Sequence, residues 1–399
     1  MDGPFGPGWP LPQGGFDLSQ VFRMLQSDGP VNWEVAEQVA AWTSGVDPDS
    51  GEPSEDPDPE PGSKTRLDGL VRAAQTHAAS ATGLTDVLAL PVRVVNRRDW
   101  AAATIDGLHD VIEALAGALF VSDEVGPGGG AGSEPGTDPF AGLMDAVGPV
   151  VIGVQTGTMI GFLAQHTLAQ YDLPLPLTGA PRLTFVLSNI DAFAEAWSLP
   201  PEDLQFALAL RETVHAAQRS VPWVRERLLR LSCEYVSAYR FDPSALEAHL
   251  ADIDLADPES WGPTAEIALD PAALLDAMRT PDQEPILSDL QRFAAVIEGY
   301  ADVLVDRVGE DLIPSLSRID EALRRHRVER GRAEAFVDRL LGLELGRDHY
   351  ERGIDFCTGV VERAGTEGLN RLWVDEAMVP TAAEMDAPGL WLARIDLEL

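Results

Sequence analysis

Residues 146–171 contain no Asp, Glu, Lys or Arg, although 24% of the chain is charged. The stretch is long enough to be mistaken for a membrane span. We favour a buried central helix, because polar side chains such as Gln155 and His166 interrupt it and no basic residues flank it. Three glycines recur in it at every fourth position: Gly153, Gly157 and Gly161. On a helix they form a smooth stripe that a second backbone can approach closely.

Composition excludes several classes of partner. The chain has 399 residues, 45% of them apolar, which is enough for a sizeable core. Its 29 basic and 65 acidic residues give a net charge of −36, which repels nucleic acid and anionic lipid, so we expect no nucleic-acid or membrane partner. Two cysteines, Cys233 and Cys357, are too few for a disulfide framework and suit a reducing cytoplasm. The first residues do not resemble a secretory signal.

The patterns predict a mainly α protein, α+β with a small strand element. We expect a disordered Gly/Pro segment at 1–15, N-terminal helices at 16–45, an extended acidic Pro-rich linker at 46–63 and a helical domain at 64–399. Short strands are predicted at Val92–Val95 and Arg182–Ile190, and a flexible Gly-rich loop at Gly126–Asp138. Asn189 is expected to cap a short helix over 191–197. Helical periodicity predicts further helices at 18–26, 99–121, 224–239, 243–251, 271–278, 286–308, 316–327, 333–343 and 348–364.

The stretch Ala207–Trp223 carries the strongest functional signal. On a helix, Arg211 and His215 share one face, with Glu212 at its edge. This is the layout of H-E-x-x-H, in which two histidines bind zinc and the glutamate acts as general base. Arginine replaces the first histidine, and a guanidinium has no lone pair to give to a metal. An ordinary amphipathic helix is the alternative interpretation of so short a match.

A second pair of polar residues lies in the predicted helix 286–308. Glu298 and Asp302 are four residues apart within an otherwise apolar run, where buried carboxylates need partners. The spacing resembles the E-x-x-x-D of gluzincins, in which the glutamate is the third zinc ligand and the aspartate orients the first histidine.

Taken together, these segments resemble the actinobacterial zincin-like metallopeptidases, also called hydrolases, some of which are associated with deazaflavin-coenzyme biosynthesis. The single lysine, Lys64, agrees with a GC-rich genome of that kind. The resemblance spans most of the chain through these segments: Gly29–Trp33, Gln155–Gly157, Gly161–Leu163, Gln170–Pro174, Asn189–Asp191, Glu212 with His215, Pro222–Trp223, Glu298–Gly299 with Ala301–Asp302, and Gly368–Trp373.

The resemblance implies a zincin-like helical core and a role for each site residue. Glu212 matches the general base, His215 and Glu298 match zinc ligands, and Asp302 matches the orienting carboxylate. Arg211 departs from the pattern at the first ligand. Tyr300 departs from it where many relatives would have histidine.

Two functions follow from this departure. We expect a degenerate zinc motif in a non-catalytic scaffold or binding protein for an unknown protein or peptide, with no cofactor. The Arg211 guanidinium should then pair with Asp302, Glu298 or both in place of the metal charge. The alternative is a working zinc-dependent peptidase or hydrolase in which His166 or His349 supplies the missing ligand.

Overall fold

The computed structural model describes residues 29–46, 52–54, 56–120, 139–240, 275, 278–328 and 332–397. The segments predicted at 1–15, 18–26, 126–138 and 243–251, and most of 271–278, lie outside these residues.

The described chain is mainly helical, which confirms the predicted fold class. Its helices, in chain order, are α1 (Trp33–Thr43), α2 (Pro61–Thr82), α3 (Arg97–Phe120), α4 (Pro139–His166), α5 (Leu187–Ala196), α6 (Pro201–Ser220), α7 (Pro222–Ser237), α8 (Gln283–Gly309), α9 (Leu316–Val328), α10 (Arg332–Leu341), α11 (Arg347–Asn370), α12 (Ala382–Met385) and α13 (Pro388–Leu397). Strand β1 (Val92–Val95) precedes α3, and β2 (Leu183–Val186) precedes α5. Short 3-10 turns lie at Thr85–Ala89, Arg371–Trp373 and Glu376–Met378.

Helix α4 packs along α1 by its glycine stripe, as the sequence predicts. A Cβ atom on Gly153 would lie 2.4 Å from the carbonyl oxygen of Asn32, and one on Gly157 would lie 2.4 Å from that of Ala36. Only glycine allows two backbones this close. The segment 147–166 is long and apolar enough to cross a membrane, but more than half of it is buried inside the fold, as in the core helix of a globular protein.

The two strands form a small parallel sheet with Val92 opposite Leu183 and Val95 opposite Val186. The strand predicted to continue to Ile190 ends at Val186, and α5 begins at once, so the helix expected to start at Asp191 begins four residues earlier. Of residues 187–190 only Ile190 is β-branched, and Leu187, Ile190, Phe193 and Ala194 are buried along one face of the helix, which favours a helix over a continued strand.

Asn189 therefore lies within α5 and does not cap it. Its side-chain amide donates to the carbonyl oxygens of Ala164 at 2.9 Å and Thr167 at 2.7 Å. Asn189 thus joins the start of α5 to the end of α4 by side-chain hydrogen bonds, and the prediction that it caps a helix was wrong.

Part of the predicted acidic linker is bound to the start of α3. The Asp56 carboxylate accepts hydrogen bonds from the backbone N–H groups of Arg97, at 2.9 Å, and Arg98, at 3.2 Å. The first N–H groups of a helix lack partners within the helix and attract negative charge. Helix α2 also begins at Pro61, inside the segment predicted as linker. The described residues of this segment are thus not an extended linker.

Helices α6 and α8 lie in the interior and contact each other. Helix α8 also packs against α11 at a point where two glycines meet: a Cβ on Gly299 would lie 2.2 Å from the backbone carbon of Gly353. Helix α8 is therefore packed between α6, which carries the motif, and α11.

Candidate functional site

The structure brings the arginine of α6 against the two carboxylates of α8. Arg211 is 7% exposed; its Nη1 donates to Asp302 Oδ1, and its Nη2 donates to Glu298 Oε2 at 2.5 Å. The arrangement is a fork in which one guanidinium bridges two carboxylates. The predicted pairing of Arg211 with both acids is confirmed.

A second arginine, from α9, completes the cluster. Arg327 Nη1 lies 3.2 Å from Asp302 Oδ2 and 3.5 Å from Glu298 Oε2. Two guanidinium groups therefore face two carboxylates in the interior. Arg327 could not be predicted as a member of the site, because it lies on a separate helix and its approach to α8 depends on tertiary packing.

The arginines control the charge of Asp302. Burial raises the pKa of this carboxyl, but the charges of Arg327 and Arg211 outweigh burial and hold the pKa below its usual value. Asp302 is therefore ionised at neutral pH.

His215 is fully buried and meets a third arginine of its own helix. Arg219 Nη1 lies 3.5 Å from His215 Nδ1. Because a guanidinium only donates, Nδ1 must accept, and the proton of the neutral ring then resides on Nε2. The spacing of Arg211, His215 and Arg219 at every fourth residue could have shown that Arg219 shares the motif face.

The ring nitrogen that faces the acid is left without a hydrogen bond. His215 Nε2 lies 3.8 Å from Glu298 Oε1, and neither atom has a hydrogen-bond partner within the protein. Burial lowers the pKa of His215 well below its usual value, and the charges of Arg211, Arg219 and Arg327 lower it further. The imidazole is thus neutral at physiological pH.

Glu212 points to a different element from the other motif residues. Its Oε2 accepts a hydrogen bond from the backbone N–H of Tyr171 at 2.8 Å. Burial raises the pKa of Glu212 to about 8, although the Tyr171 hydrogen bond opposes the shift. Most Glu212 side chains are therefore protonated at neutral pH, a state that does not accept a proton as a general base must.

The parent should lose stability as the pH rises from about 4 to about 8, because Glu212 stays protonated when folded. The variant Glu212→Gln should not show this loss. The folded protein keeps the Glu212 proton through this window, whereas an unfolded glutamate releases it near pH 4.3, so the stability contributed by this group falls as pH rises. The free energy of unfolding of the variant minus that of the parent should be larger at pH 8 than at pH 5, by about 1 kcal/mol or more. Urea unfolding at the two pH values measures this.

The matched control is Glu226→Gln, the same substitution at an exposed glutamate of α7. It should leave the pH dependence of the parent unchanged. A Glu212→Gln curve parallel to that of the parent would show that Glu212 is ionised when buried.

The other histidines considered as ligands, and Tyr300, serve different roles. His166 is exposed at the end of α4, and His349 Nδ1 accepts from the backbone N–H of Gly346 at the start of α11. The Tyr300 hydroxyl donates to Asn370 Oδ1 at 2.8 Å. Within the described residues, no group of three or more His, Cys, Asp or Glu side chains is placed to hold a metal ion.

The donor set does not fit zinc. The acids that would ligate or orient are bonded to the Arg211 guanidinium, which adds a positive charge where a dication would lie. A zinc-binding histidine normally donates its second ring N–H to a carboxylate or carbonyl. Here that nitrogen faces the Arg219 guanidinium, which favours the tautomer with Nε2 protonated.

Comparison with known proteins identifies the family and the fold of the chain. The profile of the zincin-like metallopeptidase family matches residues 31–392, so the chain belongs to that family. Among solved structures, it is similar to the crystal structure of a "putative hydrolase with a novel fold" from Chloroflexus aurantiacus. The two share 23% identity with a TM-score of 0.60, over 92% of this chain and 99% of that chain, which shows a shared fold. A search of curated proteins found no match.

Proposed function

We propose that this chain is a non-catalytic member of its family that acts as a scaffold or binding protein. The observation that carries the proposal is the Arg211 guanidinium bonded to both Glu298 and Asp302. A zincin needs a metal to lower the pKa of a bound water to about 7 and a carboxylate to take its proton. In this chain a fixed cation replaces the first ligand, and the residue that matches the base, Glu212, is mostly protonated. We propose that the partner is a protein or peptide.

The zinc content of protein purified without chelator tests this proposal. We expect no stoichiometric zinc, because Arg211 has no lone pair and repels a dication. Elemental analysis is the measurement. About one zinc per chain would overturn the proposal.

Replacing Arg211 with His should raise zinc affinity. The substitution restores a set of three ligands with His215 and Glu298, and it frees Asp302 to orient the new histidine. A competition titration with a chromogenic chelator would measure the dissociation constant of the parent and the variant. Equal, weak binding by the two proteins would show that the remaining residues are not arranged for zinc.

The double variant Arg211→His/Arg219→Gln gives a sharper form of this test. The Gln carbonyl could accept the Nδ1–H of His215, which favours the tautomer that binds metal through Nε2. Its zinc affinity should exceed that of Arg211→His by about tenfold. Affinity equal to that of the single variant would show that Arg219 does not control the His215 tautomer.

A further inference from the structure

A cavity lies beside the degenerate motif, between the loop that follows α4 and the start of α7. Its enclosed volume is about 20 Å³, room for about one water-sized atom, and it opens at its mouth into a wider space that is shared with solvent. Its apolar lining includes Leu175 and Leu228. Gln170 and Arg219, which also line it, are 2% and 4% exposed. The cavity therefore reaches buried polar side chains of the protein interior.

These two side chains have unused hydrogen-bonding groups. Neither amide atom of Gln170 has a partner within the protein, and neither does Arg219 Nη2. The other nitrogen of Arg219 contacts His215, and its guanidinium lies over the Tyr171 ring, 4.8 Å from the centroid. A buried polar group without a partner is costly, so a site with two of them at one cavity suits a ligand that supplies acceptors.

The cavity is also rich in arginine, in a protein with a large excess of acid. Arg182 and Arg225 line it with Arg219, and each donates to a backbone carbonyl: Arg182 to Ala103 at 2.8 Å and Arg225 to Arg219 at 2.6 Å. None of these three arginines forms an ion pair with a carboxylate of the described residues. With 65 acidic residues in the chain, three arginines without an ion pair at one cavity create a local positive potential.

We propose that this cavity binds the oxyanion group, a carboxylate or a phosphate, of a small ligand. One oxygen of the anion enters the enclosed space toward the free N–H of Arg219 and the amide of Gln170. The rest of the anion lies at the mouth, where Arg182 and Arg225 contribute charge. Guanidinium groups bind carboxylates and phosphates with charge-assisted hydrogen bonds. The inference rests on the proposed function in one respect, namely that the bound ligand is held without being hydrolysed.

Thermal unfolding with chosen anions tests the proposal. Acetate, phosphate and chloride are compared at equal ionic strength with the metal-free, full-length protein. A ligand that binds the folded state raises the unfolding midpoint as its concentration rises. We expect acetate or phosphate to raise the midpoint above that in chloride. A tripeptide with a free C-terminus and its C-terminal amide then show whether the anion can be the end of a peptide.

Two variants and one control locate the effect. Arg219→Gln should weaken binding of the effective anion by about ten- to a hundredfold, and Gln170→Leu by about tenfold, because each removes a hydrogen bond to a charged group. Gln170→Leu also removes unpartnered polar atoms, so it should fold even if Arg219→Gln does not. Arg98→Gln removes the same charge from an exposed position and should bind as the parent does.

Each outcome decides the proposal. Stabilisation by acetate or by phosphate that is lost in Gln170→Leu and kept in Arg98→Gln supports it. No difference between the anions and chloride, or equal stabilisation of the parent and Gln170→Leu, overturns it. Zinc content is measured separately, so a protein that holds zinc and still binds the anion would contradict the proposed function alone.

Discussion

Arg211→Ala should destabilise the protein by about 3–5 kcal/mol near neutral pH, because it removes one partner of a buried ion pair and leaves the other charges uncompensated. The guanidinium contacts both Asp302 and Glu298, and all three side chains are buried. Without it, Arg327 alone faces two carboxylates. The pair itself contributes less than this figure, because desolvation offsets much of the attraction. The free energy of unfolding from urea titrations is the measurement.

The effect of Arg211→Ala should shrink as the pH falls from 7 toward 4. Asp302 has a lowered pKa, so its contribution to stability is present above the unfolded value of about 3.9 and is lost as the pH falls through the folded value. In the variant Asp302 loses a cation, so it takes up a proton at a higher pH and its buried charge is relieved. Destabilisation of equal size at pH 7 and at about pH 4.5 would contradict this account.

Arg72→Ala provides the matched control for this substitution. Arg72 pairs with Asp68 on the exposed side of α2 at 2.8 Å, and its side chain is 68% exposed. Solvent screens such a pair, so its loss should cost less than about 0.5 kcal/mol. If Arg211→Ala and Arg72→Ala lowered the free energy of unfolding by similar amounts, burial would not increase the contribution of the Arg211 ion pairs to stability.

Gly353→Ala should destabilise the protein by about 3 kcal/mol. A Cβ atom at this position would lie 2.1 Å from the carbonyl oxygen of Ala295 on α8, and a backbone atom cannot move aside as a side chain can. Helices α8 and α11 would have to separate, which is overpacking at the upper end of its usual cost. Thermal and urea unfolding measure the loss.

Gly69→Ala tests whether the loss comes from contact rather than from the change of residue. Gly69 lies within α2, and no atom lies within 4 Å of a Cβ added there. Alanine favours a helix over glycine, so this variant should be up to about 1 kcal/mol more stable than the parent. If Gly353→Ala were as stable as Gly69→Ala, the two helices would not be in the contact described.

The fold was predictable where one segment carried its own pattern. The uncharged helix with Gly153, Gly157 and Gly161 was predicted because the repeat occurs within 20 residues of sequence and has one physical meaning. The contact of Gly299 with Gly353 was not predicted, because each is a single glycine in a separate helix. Likewise, the acidic composition around Asp56 suggested an unpacked linker, while the start of α3 supplied N–H partners that composition does not reveal.

The sequence by itself determined which residues share a helical face: Arg211 with His215 on one helix, and Glu298 with Asp302 on another. It also determined that Arg211 cannot ligate a metal, since that is a property of the guanidinium. Only the tertiary structure decided what these faces meet. The fork of Arg211 on two acids and the second cation from Arg327 depend on distances between separate helices. Side-chain identity fixes chemistry locally, whereas charge and protonation in a buried site depend on every group packed around it.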